Sequence, residues 1–207
     1  MRIKNYLKNV VVFLSLFRLL PHLFFIKVHP SRLIIEKDLY AWIKEDFSID
    51  HKLSLLRKVY FFSYFMTFLP EYRNLLYYRL GWPSKILYPL CKPMPLLSIG
   101  KAEEGIGPGL IIKHGRATGI VARKIGKNCK IFQLVSIGHI SPGKKPTIGE
   151  NVVIYPGAKV YGDIRIGNNV VIGANSVVVK DVPDNCTVVG VPGYIVRRDG
   201  IKVKERL

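Results

Sequence analysis

Aliphatic residues recur at a fixed step of six along the second half of the chain. From residue 148 onward this column reads Ile148, Ile154, Val160, Ile166, Ile172 and Val178. A second column of small or apolar residues follows each of these by four positions, at Val152, Ala158, Ile164, Val170, Ser176 and Val182. Helices repeat about every 3.6 residues and strands every two, so neither reproduces a strict period of six. The pattern predicts a triangular β-solenoid with six residues on each face and both columns inside.

The period continues upstream with two interruptions. The same step is kept by Ile125, Ile131 and Ile137, with Cys129 and Val135 in the second column. Eleven residues then separate Ile137 from Ile148, which is one step of six plus five. A loop of about five extra residues is therefore predicted within residues 139–147. Further upstream the spacing after Ile112 is irregular, so the register slips beside His114.

Residues 1–97 contain none of this repeat and are rich in aromatic and aliphatic side chains. The change in composition predicts a helical N-terminal region over 1–97, a solenoid over 98–200 and a basic tail over 201–207. Helix breakers predict three helices, at 38–46, 52–69 and 71–80. A semi-rigid, proline-rich connector is predicted to follow at 83–95. The third helix carries residues suited to a headgroup or a sugar, although packing with solvated arginines is the commoner arrangement: Tyr72, Arg73, Tyr77, Tyr78 and Arg79.

Residues 10–26 form an apolar run that follows three basic residues, Arg2, Lys4 and Lys8. No small-x-small cleavage site follows the run, so its removal as a signal peptide is not expected. It is short for a membrane span and contains Arg18, Pro21 and His22. We therefore expect an interfacial or re-entrant segment with its basic flank against anionic headgroups. The alternative is a buried helix that packs on the solenoid.

Charge narrows the range of partners. The chain has 32 Lys and Arg against 14 Asp and Glu, a net charge of +18 that is spread over both halves. Nucleic acid, an anionic membrane or a phosphate-bearing cofactor would each be attracted. Nucleic acid is disfavoured, because the sequence lacks zinc-ligand spacing, a recognition-helix signature and a basic stripe interleaved with stacking aromatics. The cysteines are odd in number and far apart, at 91, 129 and 186, which predicts a reducing, cytoplasmic environment.

Two of the five histidines, His114 and His139, lie in the repeat, whereas His22, His29 and His51 have no acidic partner at a telling spacing. Residues 109–114 followed by 117–121 resemble the active-site stretch of serine acetyltransferases, a group of hexapeptide acyltransferases, with Gly115 and Arg116 inserted after the histidine. A capsule-locus branch resembles this chain in that longer spacing and in residues 70–81. The resemblance covers about residues 97–200 and continues through 135–138, 146–149, 158–162, 172–178 and 181–192.

The resemblance implies a left-handed parallel β-helix, a homotrimer with active sites shared between subunits, and acetyl-CoA as acyl donor. His114 takes the place of the catalytic histidine, either as general base or only to orient the acceptor. A neutral imidazole, with an ordinary pKa of about 6.5, suits proton removal from a hydroxyl, and no metal is required. Small residues would admit the pantetheine arm closely and basic residues would bind the CoA phosphates: Gly138, Ala158, Ala174, Lys180, Arg197 and Arg198.

Two positions depart from the family pattern and bear on the acceptor. Where the family has an aspartate before the first coil this chain has Ile99, and the nearest acids are Glu103 and Glu104. Where the family has a histidine before the loop proline this chain has Lys145. His139, at the root of that loop, either replaces the missing histidine, lines a sugar pocket or has no role.

These departures favour a carbohydrate acceptor. We expect an O-acetyltransferase that acts on a sugar hydroxyl of a polysaccharide precursor or lipid-linked glycan at the inner face of the membrane. A serine O-acetyltransferase of cysteine biosynthesis is the first alternative. A non-catalytic solenoid that organises partners at a membrane is the second.

Overall fold

The chain forms two compact units, Met1–Met94 and Pro95–Leu207. The computed structural model describes residues 2–207, with side chains from Tyr6 onward, so the side chains of Arg2 and Lys4 lie outside the described part. The first unit is helical and the second is a parallel β-solenoid. The predicted fold class, mainly β with a helical N-terminal region, is confirmed.

The described part of the first unit contains five helices: α1 (Arg2–Val28), α2 (Arg32–Phe47), α3 (Leu55–Phe68), α4 (Pro70–Leu80) and α5 (Ser84–Leu87). The three predicted helices correspond to α2, α3 and α4. Helix α3 begins later than predicted because Ser54 caps it, its hydroxyl accepting from the backbone N–H of Arg57 at 3.4 Å. Pro70 occupies the first turn of α4, where its missing N–H costs nothing. Helix α5 interrupts the predicted connector.

Helix α1 has two unlike faces. Val12, Ser15, Leu19 and His22 are buried. Ser15 joins α1 to α3, since its hydroxyl lies 2.9 Å from that of Ser63 and 2.8 Å from that of Thr67. The opposite face is exposed. Its own unit therefore covers one face of α1, and the alternative of a buried helix that packs on the solenoid stays a prediction.

Charged side chains lie inside the helical unit. Asp38 and Arg79 form an ion pair at 2.8 Å with side chains only 3 % and 5 % exposed. Arg73 donates to three backbone carbonyls at 2.7 Å each, those of Met66, Thr67 and Lys92. The third helix packs in the unit, as the commoner arrangement predicted, but its arginines are not solvated, because Arg79 is buried and Arg73 binds backbone carbonyls.

The second unit has fifteen short strands within the described residues. Their bounds are β1 Leu97–Ile99, β2 Ile111–Lys113, β3 Thr118–Ile120, β4 Lys124–Ile125, β5 Lys130–Phe132, β6 Ser136–Gly138, β7 Thr147–Ile148, β8 Val153–Ile154, β9 Lys159–Tyr161, β10 Arg165–Ile166, β11 Val171–Ile172, β12 Val177–Val178, β13 Cys186–Val189, β14 Tyr194–Arg198 and β15 Ile201–Arg206. Three sheets result, with strand orders β1-β3-β6-β9-β12 (sheet A), β4-β7-β10 (sheet B) and β2-β5-β8-β11-β13-β14-β15 (sheet C).

Both predicted columns fill the interior of the solenoid. Their members from residue 148 onward are between 0 and 9 % exposed. The strands pair in parallel, with Ile131 opposite Ile154 and Ile154 opposite Ile172, so each coil places its aliphatic residue on that of the next. The two interruptions lie where predicted, a loop at 139–146 between β6 and β7 and an enlarged corner at 114–117 between β2 and β3.

Within the predicted basic tail over 201–207, residues Ile201–Arg206 form strand β15. It pairs antiparallel with β14, which pairs antiparallel with β13. The tail alternates basic side chains with others, as in Lys202, Val203, Lys204, and this period of two is typical of a strand.

One corner of the solenoid carries a ladder of polar side chains, the Asn ladder: Asn128, Asn151, Asn169, Asn185 and Asp199. All five residues have positive φ, between 49° and 58°. Successive side chains are hydrogen-bonded at 3.3, 3.0, 2.8 and 2.8 Å. Asn is among the few residues that tolerate this left-handed conformation, so each rung both makes the turn and bonds to the next coil.

Candidate active site

His114 lies in the enlarged corner between sheets C and A. Both His114 and Ala117 have positive φ, at 54° and 49°, and the N–H of Arg116 donates to the His114 carbonyl at 2.5 Å. The next coil anchors the corner, since the N–H of Leu134 donates to the carbonyl of Arg116 at 3.0 Å. The imidazole of His114 is exposed and, within residues 2–207, has no hydrogen-bond partner. It is therefore free to accept a proton from a bound molecule.

His139 lies on a different corner of the same subunit. It is exposed and directly follows strand β6, whereas His114 precedes strand β3, which pairs with β6 in parallel. The two histidines therefore lie at opposite ends of the strands of sheet A, His114 at the N-terminal ends and His139 at the C-terminal ends. A three-residue strand spans roughly 10 Å, so they do not meet within one chain.

The accessory candidates Glu103 and Lys145 meet near the loop at 139–146. Lys145 Nζ donates to Glu103 at 2.9 Å, and this hydrogen bond lowers the pKa of Glu103. Arg123 contacts Glu103 at 3.9 Å and Asp163 at 3.0 Å. Glu104 pairs instead with Lys124 at 3.8 Å. Glu103 is thus held in a cation-rich cluster on the side of sheet A away from His114.

The outward face of sheet A beside His114 carries small residues, one lysine and one tyrosine. Gly119, Ser136 and Lys159 pair across β3, β6 and β9, and Gly138 pairs with Tyr161. The hydroxyls of Ser136 and Tyr161 lie 2.6 Å apart. A Cβ at Gly138 would lie 3.0 Å from the Tyr161 ring, so glycine lets that ring pack closely against the strand.

A cleft of about 870 Å³ lies where the last strand of sheet A meets the C-terminal hairpin of β14 and β15. Val177, Val179 and Val191 supply apolar wall, and Lys180, Lys204 and Arg206 supply positive charge. Lys180 also donates to the carbonyl of Leu207 at 2.7 Å. The arrangement suits an elongated ligand with an apolar middle and anionic groups. We call this the C-terminal cleft.

The predicted cofactor residues divide into those that reach this region and those that do not. Lys180 lines the C-terminal cleft and Gly138 lies on the outward face of sheet A. Ala158 is fully buried in the solenoid core, so its side chain is not available to a ligand. Ala174 is exposed outside the cleft, Arg197 is likewise exposed outside it, and Arg198 is ion-paired with Glu205. Sequence reasoning missed Lys204 and Arg206, although their alternation within the last seven residues is a strand signal.

The cysteines do not offer a nucleophile. All three are free thiols buried in their units. Burial raises the pKa of the Cys129 thiol to about 11, and Cys129 Sγ donates to the Gly149 carbonyl at 3.2 Å. A thiol reacts as the thiolate, so Cys129 is a core residue.

A family model described as bacterial transferase hexapeptide (six repeats) matches residues 145–180. A serine acetyltransferase of Synechococcus elongatus is 48 % identical over 102 residues, which are 47 % of this chain and 42 % of that protein. One from Staphylococcus aureus is 50 % identical over 104 residues, or 47 % of this chain and 48 % of that protein. The chain thus spans about half the length of the curated relatives it matches.

Solved structures give longer matches. The serine acetyltransferase of Neisseria gonorrhoeae in complex with serine is 31 % identical, with a TM-score of 0.59, and the match covers 80 % of this chain and 69 % of that one. The serine acetyltransferase of Brucella abortus strain S19 is similar in fold, with a TM-score of 0.64 at 24 % identity over 88 % of this chain and 74 % of that one.

Proposed function

We propose that this chain, which belongs to the serine acetyltransferase-like group of the hexapeptide-repeat transferases, is an acyltransferase that transfers acetyl from acetyl-CoA to a hydroxyl. The observation that carries the proposal is the exposed, unbonded imidazole of His114 in a corner that the next coil holds in place. It lies at the edge of the small-residue face of sheet A, and the last strand of that sheet leads to the basic C-terminal cleft.

The residues present fit acetyl-CoA. Lys180, Lys204 and Arg206 in the C-terminal cleft suit its phosphates, and the small residues Gly119 and Ser136 leave room for a thin pantetheine arm on sheet A. The Tyr161 ring covers the predicted Gly138. When bound, the thioester supplies an already activated acyl group. His114 then needs only to move a proton.

In the proposed reaction His114 takes the proton of the acceptor hydroxyl as the oxygen attacks the acyl carbon. The imidazolium returns that proton to the sulfur as the carbon–sulfur bond breaks, so the ester and free thiol form without net change in charge. The backbone N–H groups of Gly115 and Ala117, which have no acceptor among the described residues, are the candidates to stabilise the oxyanion.

L-Serine is the first acceptor that we propose. The curated relatives are named serine acetyltransferases, and the gonococcal structure contains serine. These findings support the first alternative from the sequence over the expected sugar acceptor.

A sugar hydroxyl remains the second candidate because of one specific observation. At the loop position where the family has a histidine, this chain has Lys145, which is already bound to Glu103 at 2.9 Å. Ile99, at the position of the family aspartate, pairs with Ile120 and offers no charge to an amino group.

A homotrimer would account for the separation of the candidate residues. His114 and the loop at 139–146 lie at opposite ends of the strands of sheet A. A second subunit is therefore needed to bring its 139–146 loop to the His114 of the first. Light scattering on the purified protein should therefore give a mass that is a multiple of three chains.

Thiol release from acetyl-CoA tests the proposal, with L-serine or a panel of sugars as acceptor. Replacing His114 with Ala should lower kcat by roughly 10²- to 10⁴-fold, the usual contribution of a general base. His51→Gln, another exposed histidine, is the matched control and should retain full activity. Turnover of sugars but not serine would select the second candidate. Equal rates in wild type and His114→Ala would contradict the histidine mechanism, and no thiol release by either protein would favour a non-catalytic scaffold.

A further inference from the structure

Helix α1 exposes a continuous apolar surface on the side opposite its contact with α3. At 3.6 residues per turn its members share one half of the helix. We call this surface the α1 apolar face: Tyr6, Leu7, Val10, Val11, Phe13, Leu14, Phe17, Leu20, Phe24 and Val28, each 37–70 % exposed. Soluble monomers rarely expose contiguous apolar patches larger than a few hundred Å². Ten large side chains on one helix exceed that limit, so something covers this face.

The buried side of α1 restricts how the helix can meet a partner. Ser15 is bonded to α3 through Ser63 and Thr67, and His22 Nε2 lies 3.1 Å from the Tyr77 hydroxyl in α4. Within the described residues α1 is the one helix whose length and composition suffice to cross a bilayer, over Tyr6–Val28. To do so it would have to carry its polar contacts, and the helices that make them, into the hydrocarbon. A helix lying in the membrane plane keeps these contacts.

The charges of α1 indicate what covers the apolar face. The helix sequence contains five basic residues and no acidic one, and the first acid of the chain is Glu36. By helical spacing, Arg18 and Lys27 lie on the two borders between the apolar and buried faces. Two copies of the chain packed through α1 would place basic residues against basic residues. Anionic headgroups would instead neutralise both borders.

We propose that the α1 apolar face is a membrane-binding surface that lies in the plane of an anionic bilayer. Phe13, Phe17 and Phe24, 62–69 % exposed, enter the boundary between headgroups and acyl chains to a depth of about 5–10 Å. Arg18 and Lys27 bind lipid phosphates beside them. The solenoid is thereby held at the membrane whatever its acceptor is, so this inference does not depend on the proposed reaction.

Flotation of the full-length protein with vesicles of phosphatidylcholine, with or without 30 % phosphatidylglycerol, tests this surface. Wild type should bind the anionic vesicles at least tenfold more tightly than the neutral ones. F13S/F17S/F24S should lower binding to anionic vesicles at least tenfold. The matched control L56S/W82S/I86S, which replaces three exposed apolar residues outside α1, should bind like wild type. R18Q/K27Q should lose about tenfold on anionic vesicles only, and 0.5 M salt should have the same effect.

Four results would overturn the proposal. The first is failure of wild type to float with anionic vesicles, and the second is a loss of binding by the control triple variant equal to that of F13S/F17S/F24S. In light scattering, a lower mass for F13S/F17S/F24S than for wild type would show that a second copy covers the face. Carbonate washing of cell membranes tests the orientation: release is expected of an in-plane helix, and retention would contradict it. An unchanged unfolding midpoint for F13S/F17S/F24S excludes misfolding as the cause.

Discussion

The two units of this chain sort their side chains in opposite ways. The solenoid places both columns of its six-residue repeat inside, and the polar residues buried there are Thr118 and Ser176 among those described. The helical unit buries Asp38, Arg79 and His22 while α1 exposes a row of phenylalanines. A repeat dictates its interior through its period, because each coil must match the one below it. A helix bundle can instead fix its packing with a few polar pairs and leave apolar residues for other partners.

The largest expected effect comes from breaking the buried ion pair. Arg79→Met removes the guanidinium that pairs with the buried Asp38 carboxylate, and we expect a loss of about 3–5 kcal/mol in the unfolding free energy. Both tryptophans, Trp42 and Trp82, lie in the helical unit, so tryptophan fluorescence in urea follows that unit. The double variant D38L/R79M is the control and should regain most of the loss. Wild-type stability of Arg79→Met would show that the pair does not organise the bundle.

A smaller effect is expected from acid, again confined to the helical unit. Burial, and secondarily the charge of Arg18, lower the pKa of His22 to about 4 from an ordinary value of about 6.5. The unfolded chain therefore binds a proton at His22 more readily than the folded chain does. The unfolding free energy keeps its full His22 contribution above pH 6.5 and falls as the pH drops to about 4. The total loss is about 3 kcal/mol.

Fluorescence-detected unfolding between pH 7 and 4 measures this loss. His22→Gln should flatten the pH dependence, and His51→Gln, on the surface, should leave it unchanged. The comparison between the units would fail if the solenoid strands, followed by hydrogen exchange, lost stability over the same range.

The smallest effect concerns the solenoid. Asn169→Ala removes two rungs of the Asn ladder, the bonds to Asn151 and Asn185, and places alanine at a φ of 55°. We expect a cost of about 1–2 kcal/mol, of which roughly half is the left-handed backbone. Asn169→Gly should recover that half. Hydrogen exchange in β8 and β11 measures the loss of stability in each variant. Faster exchange in α3 would show that the two units are not independent in stability.

The solenoid could be predicted from the sequence because its signal is periodic. Ile148 and Ile154 alone suggest nothing, but six residues at one step determine the interior, the loop at 139–146 and the slipped corner at His114. His114 itself was found through the motif that surrounds it. Lys204 and Arg206 were assigned to a tail, although their alternation already indicated a strand.

The helical unit was less predictable because its decisive contacts join residues far apart in sequence. Asp38 and Arg79 are separated by 41 positions and His22 and Tyr77 by 55. No local spacing marks such pairs. The apolar run at 10–26 indicated a helix in contact with something apolar. Which face packs on α3 depends on hydrogen bonds from Ser15 to Ser63 and Thr67, and the sequence does not show these contacts.

The Asn ladder also restricts how this chain can change its length. Asn151 and Asn169 are eighteen residues apart, one full circuit of three six-residue faces, whereas Asn128 and Asn151 are twenty-three apart because the loop at 139–146 intervenes. Deleting one circuit would bring the next asparagine into the vacated place and keep the column continuous. Asn169 and Asn185 are only sixteen apart, so the stretch between two rungs can itself vary in length. Rungs are therefore gained or lost only with whole coils, and insertions or deletions of other sizes are confined to the stretches between rungs.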